Sequence, residues 1–68
     1  MSQTSTYTVT GMTCGHCVAS VTEEIEEIAG VESVDVVLES GAVTVTSSTP
    51  LERATVEAAV TEAGYALA

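Results

Sequence analysis

The spacing of apolar residues along this 68-residue chain changes from a period of two to a helical period, and then does so again. Apolar and polar side chains alternate over residues 7–10, which predicts a strand. From about Gly15 the apolar residues follow one helical stripe, which ends before Gly30 at the position where glycine commonly closes a helix. A chain with this pattern must form both sheet and helix, because each element needs the other to bury its apolar face.

The middle of the chain returns to a period of two. Apolar residues alternate over 34–39 and again over 42–46, and a short turn containing Gly41 separates the two runs. This pattern predicts a β-hairpin.

A second helix is predicted after the hairpin. Thr49 can cap it, Pro50 suits its first position, and Glu52 completes a capping box. The apolar stripe ends at Gly64, the second candidate C-terminal glycine, and residues 65–68 read as a short closing strand. The element order is therefore β-α-β-β-α-β.

This order predicts an α+β fold of the ferredoxin-like βαββαβ type, formed by residues 1–68 as a single domain. We expect a four-stranded antiparallel sheet with two helices on one face and an open, hydroxyl-rich face on the other side. The strand residues predicted to face the helices are Val9, Val34, Val36, Leu38, Val43 and Val45, and those predicted on the open face are Thr8, Thr10, Thr44 and Thr46.

The charge balance is one-sided, with ten Asp and Glu against one Arg and no Lys, and a formal net charge of -9. Nucleic acid and anionic membranes are bound mainly by Lys and Arg, so neither is an expected partner. The acidity has two open interpretations, attraction of a basic partner or general solubility and salt adaptation.

The N-terminal residues do not resemble an export signal, and no apolar run approaches the roughly 20 residues that span a bilayer. We therefore expect a cytoplasmic protein without direct membrane insertion, in a compartment where thiols stay reduced.

The only two cysteines, Cys14 and Cys17, lie where the first strand gives way to the first helix. Backbone N–H groups at a helix start carry partial positive charge, which lowers the pKa of a nearby thiol. Two thiolates at this spacing, with backbone freedom expected from Gly15, favour a soft ion such as Cu(I) or Zn(II). A closed zinc site takes four ligands, whereas this chain offers two cysteines and His16. The pair therefore predicts an open Cu(I) site that can release its ion.

The run GMTCGHC at residues 11–17 resembles the metal-binding motif of the heavy-metal-associated domain family, in the form typical of bacterial copper chaperones. Residues 30–31, 39–41 and 63–65 are also similar to that family, so the resemblance covers residues 7–67. It implies Cu(I) bound by Cys14 and Cys17, and transfer to the metal-binding domain of a copper-transporting P-type ATPase. A copper-bridged homodimer is a further implied state.

The residue before the first cysteine bears on the choice of metal. The resemblance implies copper here, because zinc- and cadmium-handling members commonly have Asp at the position of Thr13. Mercury-binding members share the motif but usually follow an export signal.

Four further features have open interpretations. Met12 is a candidate thioether ligand, although core packing is the preferred prediction. His16 is either a weak third ligand and tuner of the thiolates or a solvated loop residue. The family places an aromatic near the metal loop, and Tyr65 either shields the site or packs in the last strand. The acidic residues over 23–27 form either a docking face or the solvated side of a helix.

Two other functions stay open beside a copper chaperone. A CxxC at a helix start is also the arrangement of dithiol–disulfide redox proteins, although no aromatic or Pro residue flanks this pair. The chain could also be a metal-binding domain of a P-type ATPase that handles Cu, Zn or Hg, although Met1 and an end just after the last strand favour a free protein. The sequence predicts a binding protein and not an enzyme.

Overall fold

Six elements follow one another in the predicted order in the computed structural model, which describes residues 2–68. They are β1 (Gln3–Thr10), α1 (Gly15–Glu26), β2 (Val31–Val37), β3 (Ala42–Ser47), α2 (Arg53–Glu62) and β4 (Ala66–Leu67). The strands form one sheet in the order β2-β3-β1-β4, and each neighbouring pair is antiparallel. The predicted ferredoxin-like βαββαβ fold is confirmed. None of the helices within residues 2–68 is long and apolar enough to cross a membrane.

The core lies between the sheet and the two helices. Its buried side chains are Val9, Val21, Ile25, Val43, Val45, Val56 and Val60. Full burial of a side chain of this size stabilises a fold by about 1.5–3 kcal/mol relative to exposure. The predicted inward positions Val9, Val43 and Val45 are confirmed, and Val34 and Val36 are half-buried against the same core.

The open face of the sheet carries the predicted threonines. Thr8 and Thr10 of β1 are exposed, and Thr44 and Thr46 of β3 are half-buried. The alternation that separates an apolar face from a hydroxyl-rich face is therefore present in both central strands.

Leu38 does not face the helices, so that prediction is wrong. The Gly41 N–H donates to the Val37 carbonyl (2.8 Å), which ends β2 at Val37 and leaves Leu38 in the turn, 37% exposed. Gly41 has φ +77, and a Cβ on it would collide with the Val9 carbonyl oxygen. This glycine lets the hairpin turn lie directly against β1, near the start of the loop to α1.

The second helix begins later than the capping signals predict. Its first residue is Arg53, and Glu52 occupies the cap position without a side-chain hydrogen bond to the helix. The predicted box formed by Thr49, Pro50 and Glu52 is therefore wrong.

The late start of α2 is caused by hydrogen bonds in the segment that precedes it, one of which reaches the turn after α1. The Ser47 hydroxyl donates to the Thr49 carbonyl (2.6 Å), and the Ser48 N–H donates to the Gly30 carbonyl (2.8 Å). The Ser48 bond attaches this segment to a distant turn and the Ser47 bond engages the Thr49 carbonyl, so the helix does not begin at Thr49.

Gly30 also lies outside its predicted position. The first helix ends at Glu26 and its cap is Glu27, so Gly30 lies beyond the first residue after the cap. Its φ of +91 and its close approach to the Thr49 side chain still require glycine there. The glycine belongs to the turn into β2 instead of to the end of the helix.

Candidate metal site

A short loop carries the chain from the end of β1 at Thr10 to the start of α1 at Gly15. Gly11 has φ +92, and a Cβ on it would lie 3.4 Å from the Cδ1 atom of Tyr65. Glycine therefore allows both the backbone turn and the approach of the Tyr65 ring. Met12 is half-buried and packs against the core, the role that the sequence favoured over ligation.

The two cysteines occupy different positions at the start of α1. Cys14 is the cap residue in an extended conformation (φ -158, ψ 170), and its carbonyl accepts the Cys17 N–H (3.0 Å). Cys14 is exposed, whereas Cys17 is buried at 9% exposure. Both are free, and their Sγ atoms are 3.6 Å apart. Both sulfurs can therefore bond to one ion, since a thiolate lies about 2.3 Å from a metal such as zinc.

The surroundings of Cys17 favour its thiolate. Hydrogen bonding from the Thr13 backbone is the largest cause, followed by the Tyr65 hydroxyl and the backbone and thiol of Cys14. Burial opposes these effects, but together they lower the pKa of Cys17 to about 6. A large fraction of this thiol is therefore ionised at neutral pH, before any metal binds. The Thr13 Oγ1 lies 3.9 Å from the same sulfur.

Tyr65 reaches the site because of the way that α2 ends. The Gly64 N–H donates to the Thr61 carbonyl (2.9 Å) and the Tyr65 N–H to the Val60 carbonyl (3.0 Å), which is the Schellman pattern. Gly64 has φ +94, so its predicted role in closing the helix is confirmed. Tyr65 is half-buried, and its hydrogen bond with Cys17 is the main cause of its raised pKa.

Two predicted tuning residues do not join the two sulfurs. His16 is exposed in the first turn of α1, and within residues 2–68 no three His, Cys, Asp or Glu side chains converge as a metal site. Gly15 has no positive φ, and a Cβ on it would meet no atom within 4 Å. The backbone freedom expected of Gly15 is therefore unnecessary. Gly11 is the glycine whose positive φ shapes the loop, and its place directly after a strand is the sequence signal for that role.

An acidic surface extends over both helices. The pKa of Glu24 is raised, first by partial burial and then by the negative charges of Glu27, Glu62 and Glu23. The negative charges of Glu23, Glu27 and Glu62 are therefore close enough to Glu24 to disfavour its ionised form.

Comparison with known proteins agrees with this geometry. Residues 6–66 match the model of the heavy-metal-associated domain. A COP-associated protein of Helicobacter felis is 39% identical over 59 residues, which cover 87% of this chain and 89% of that protein. The copper chaperone CopZ of Staphylococcus aureus is 51% identical over 37 residues, which cover 54% of each chain. The solved structure of a CopZ metallochaperone matches with a TM-score of 0.90 and 33% identity, over 97% of this chain and 100% of that one.

Proposed function

Because this chain belongs to the heavy-metal-associated domain family, we propose that it is a copper chaperone that carries Cu(I). In this proposal the thiolates of Cys14 and Cys17 bind the ion, and the acceptor is the metal-binding domain of a copper-transporting P-type ATPase. The exchange takes place in the cytoplasm, where thiols stay reduced.

The observation that carries the proposal is the pair of free sulfurs 3.6 Å apart, of which one is buried and the other exposed. Cys17 is held largely as a thiolate at neutral pH by its lowered pKa, so it can keep the ion attached. Cys14 is exposed, so an incoming thiolate of the acceptor can reach an ion bound there. One acceptor sulfur–copper bond forms as the Cys14–copper bond breaks, a second acceptor sulfur then replaces Cys17, and copper stays Cu(I) throughout.

The number of ligands supports Cu(I) over Zn(II). Soft thiolates select Cu(I) and Zn(II) among the common ions, but a structural zinc site usually has four protein ligands. Within the described residues only the two sulfurs converge, since His16 remains apart. A two-sulfur site leaves the ion accessible to exchange, which suits delivery better than storage.

Metal preference can be tested by a competition titration of Cu(I) against Zn(II), read by mass spectrometry under native conditions. We expect one Cu(I) per chain, or one Cu(I) shared by two chains, and no displacement by equimolar Zn(II). The Cys14→Ser/Cys17→Ser double variant should lose tight Cu(I) binding, whereas His16→Ala should keep the stoichiometry. Tight Cu(I) binding by the double variant would contradict the proposal.

Transfer requires a separate experiment. The Cu(I)-loaded chain is mixed with a purified N-terminal metal-binding domain of a copper-transporting ATPase from the same organism. Because the chain has a net charge of -9, ion exchange separates it from a less acidic acceptor, and the copper content of each fraction is measured. Movement of copper to the acceptor within the mixing time supports delivery. Retention of all copper on the chain would limit the function to binding.

A dithiol–disulfide redox protein is the second candidate, because the sulfurs are close and Cys17 has a pKa of about 6. Low thiol pKa and proximity are what thiol–disulfide exchange needs. Catalytic turnover of a protein disulfide, with the Cys14→Ser variant as the control, would favour this candidate. Stoichiometric oxidation without turnover would leave the chaperone proposal in place.

A further inference from the structure

The last two residues of β1 are held from both sides. The Val9 N–H donates to the Gly41 carbonyl (2.8 Å) in the turn of the β2–β3 hairpin. On the other side of β1, Val9 and Thr10 pair with β4. The metal loop, residues 11–14, begins directly after Thr10. The hairpin turn and β4 therefore fix the point at which this loop leaves the sheet.

The hairpin turn approaches β1 more closely than a side chain would permit. Gly41 is buried, and a Cβ on it would lie 2.5 Å from the Val9 carbonyl oxygen. Side-chain carbons do not approach another atom this closely, and this oxygen belongs to the backbone, so it cannot rotate aside. The Gly41 N–H also donates to the Val37 carbonyl (2.8 Å), which fixes the turn itself. A residue larger than glycine must therefore force the turn and the end of β1 apart.

A displacement of the end of β1 reaches the sulfur atoms through a short path. Residues 11–13 are all that separates this strand from the cap residue Cys14. Their freedom is limited, because Gly11 already has φ +92 and the Met12 side chain packs against the core. Cys17 is buried on α1, which is anchored separately by its own core residues. Movement of the end of β1 therefore shifts Cys14 relative to Cys17.

We propose that Gly41 is a positioning residue for the metal site. By packing directly on Val9, the hairpin turn sets where the metal loop begins and keeps the Cys14 sulfur 3.6 Å from the Cys17 sulfur. The proposal rests on the proposed function only in naming copper as the ion that this pair holds. The positioning of the two sulfurs themselves can be measured without metal.

Gly30 provides a matched comparison at the other end of the sheet. It also has a positive φ, +91, and a Cβ on it would lie 2.6 Å from the Thr49 Oγ1 atom. Val31, the next residue, pairs with Ser47, which lies opposite the start of β1 at Gln3. The metal loop follows the opposite end of that strand. Alanine at either glycine strains the backbone, but only in the hairpin turn does it displace the metal loop.

The first experiment measures how well the metal-free chain holds its two sulfurs together. In a buffer of reduced and oxidised glutathione, the Cys14 and Cys17 thiols form one disulfide, and glutathione disulfide is reduced to two glutathione thiols. The equilibrium constant rises with the effective concentration of one thiol beside the other. We expect it to fall about tenfold or more in Gly41→Ala, because the sulfurs are displaced from each other, and to stay within about twofold in Gly30→Ala.

The control for folding is circular dichroism, and the variants are compared at a temperature where both remain folded. An unchanged equilibrium constant in Gly41→Ala, or an equal decrease in Gly30→Ala, would overturn the proposal. A chain that gives the expected constants but binds no Cu(I) would contradict the proposed function and support the positioning role of Gly41.

The second experiment uses the unaltered chain, so it does not depend on the folding of a variant. Coupling between two sites is reciprocal, so an ion bound at a site that the hairpin turn positions must also stabilise the contact of that turn with β1. Two backbone hydrogen bonds of 2.8 Å report on the two ends of the sheet, from the Val9 N–H to the Gly41 carbonyl and from the Ser48 N–H to the Gly30 carbonyl.

Hydrogen exchange of these two N–H groups is measured by NMR with and without one equivalent of Cu(I). We expect the ion to slow exchange of the Val9 N–H by at least about fivefold more than exchange of the Ser48 N–H, because only the first bond belongs to the support of the metal loop. Equal slowing of both groups would overturn the proposal.

Discussion

The two helices of this protein begin with similar backbone conformations but lie in different surroundings. The cap residues Cys14 and Glu52 are both extended, and neither side chain caps a backbone N–H of its helix. Each cap carbonyl accepts the N–H groups three and four residues later, at 3.0 and 3.4 Å in α1 and at 3.1 and 3.3 Å in α2. Both helix starts therefore present the same partial positive charge to whatever lies in front of them.

The difference lies in what covers the first turn. The third residue of α1, Cys17, is buried and receives hydrogen bonds from the Thr13 backbone and the Tyr65 hydroxyl. The third residue of α2, Thr55, is exposed, and so is Glu52. We therefore expect that a helix start alone is insufficient for a metal site. The loop before α1 and the aromatic residue after α2 make one of the two starts specific for a thiolate.

The sharpest test of this comparison moves the cysteine pair to the second helix. Glu52→Cys/Thr55→Cys, in the Cys14→Ser/Cys17→Ser background, has the same spacing at the other helix start. We expect its Cu(I) affinity to be lower than that of the native chain by about 100-fold or more, because burial, Tyr65 and the Thr13 backbone are absent there. The measurement is competition with a Cu(I)-binding chelator.

The control for this transfer is the melting temperature of the metal-free variant, which should stay near that of the parent because both replaced residues are exposed. Equal Cu(I) affinity at both helix starts would show that the CxxC spacing is sufficient and that the surroundings contribute nothing.

The lowered pKa of Cys17 predicts a dependence of stability on pH. The folded thiol has a pKa of about 6 against an ordinary value of 9.0, so between these values the unfolded chain binds a proton that the folded chain does not. The stabilisation is complete above pH 9 and is lost as the pH falls towards 6. The melting temperature of Cys14→Ser should therefore rise from pH 6 to pH 9 relative to Cys14→Ser/Cys17→Ser. A constant difference between the two variants would contradict the lowered pKa.

Tyr65 accounts for a smaller part of the same effect. Tyr65→Phe removes the hydroxyl that bonds to Cys17 and keeps the ring beside Gly11. The pKa of Cys17 should rise part of the way to its ordinary value, because the larger contribution of the Thr13 backbone remains. The pH dependence of Cys17 alkylation in Cys14→Ser measures this change. Tyr7→Phe, which alters the other tyrosine, is the matched control and should leave the alkylation profile unchanged.

The smallest expected effects concern the missing caps. Ser at a cap position bonds to a free N–H of the first turn and stabilises a helix by about 0.5–1 kcal/mol. Glu52→Ser should therefore raise the free energy of unfolding by this amount, with Glu52→Ala as the control. Cys14→Ser should do the same below pH 6, where the thiol of Cys17 is protonated. If Glu52→Ser stabilises the chain and Cys14→Ser does not, the loop holds Cys14 in a conformation unsuited to capping.

The two helix starts also differ in how well the sequence predicts them. The start of α1 at Gly15 was predicted from the change of period, and no distant residue interferes with it. The start of α2 was placed too early, because Ser48 bonds to the Gly30 carbonyl in the turn after α1. A capping box is a local signal, and hydrogen bonds to a segment far away in the sequence override it.

In the hairpin, too, a local pattern predicted most positions and failed at one residue, Leu38. Alternation through Val34 and Val36 predicted their half-buried positions, but it continued to Leu38, where the turn has already begun. Alternation shows which residues share a face of a strand. The last residue of that strand is decided by the Gly41 N–H bonding to Val37, which depends on how the turn closes.

The sequence by itself determined the order of the elements, the antiparallel α+β fold and the position of a cysteine pair at a helix start. These follow from periodicity and spacing, which act over a few residues. Only the tertiary structure decided that Tyr65 helps to lower the pKa of Cys17 and that Gly11 allows the Tyr65 ring to approach. Each of these depends on which distant segments meet, and that is settled when the whole chain packs its apolar surfaces together.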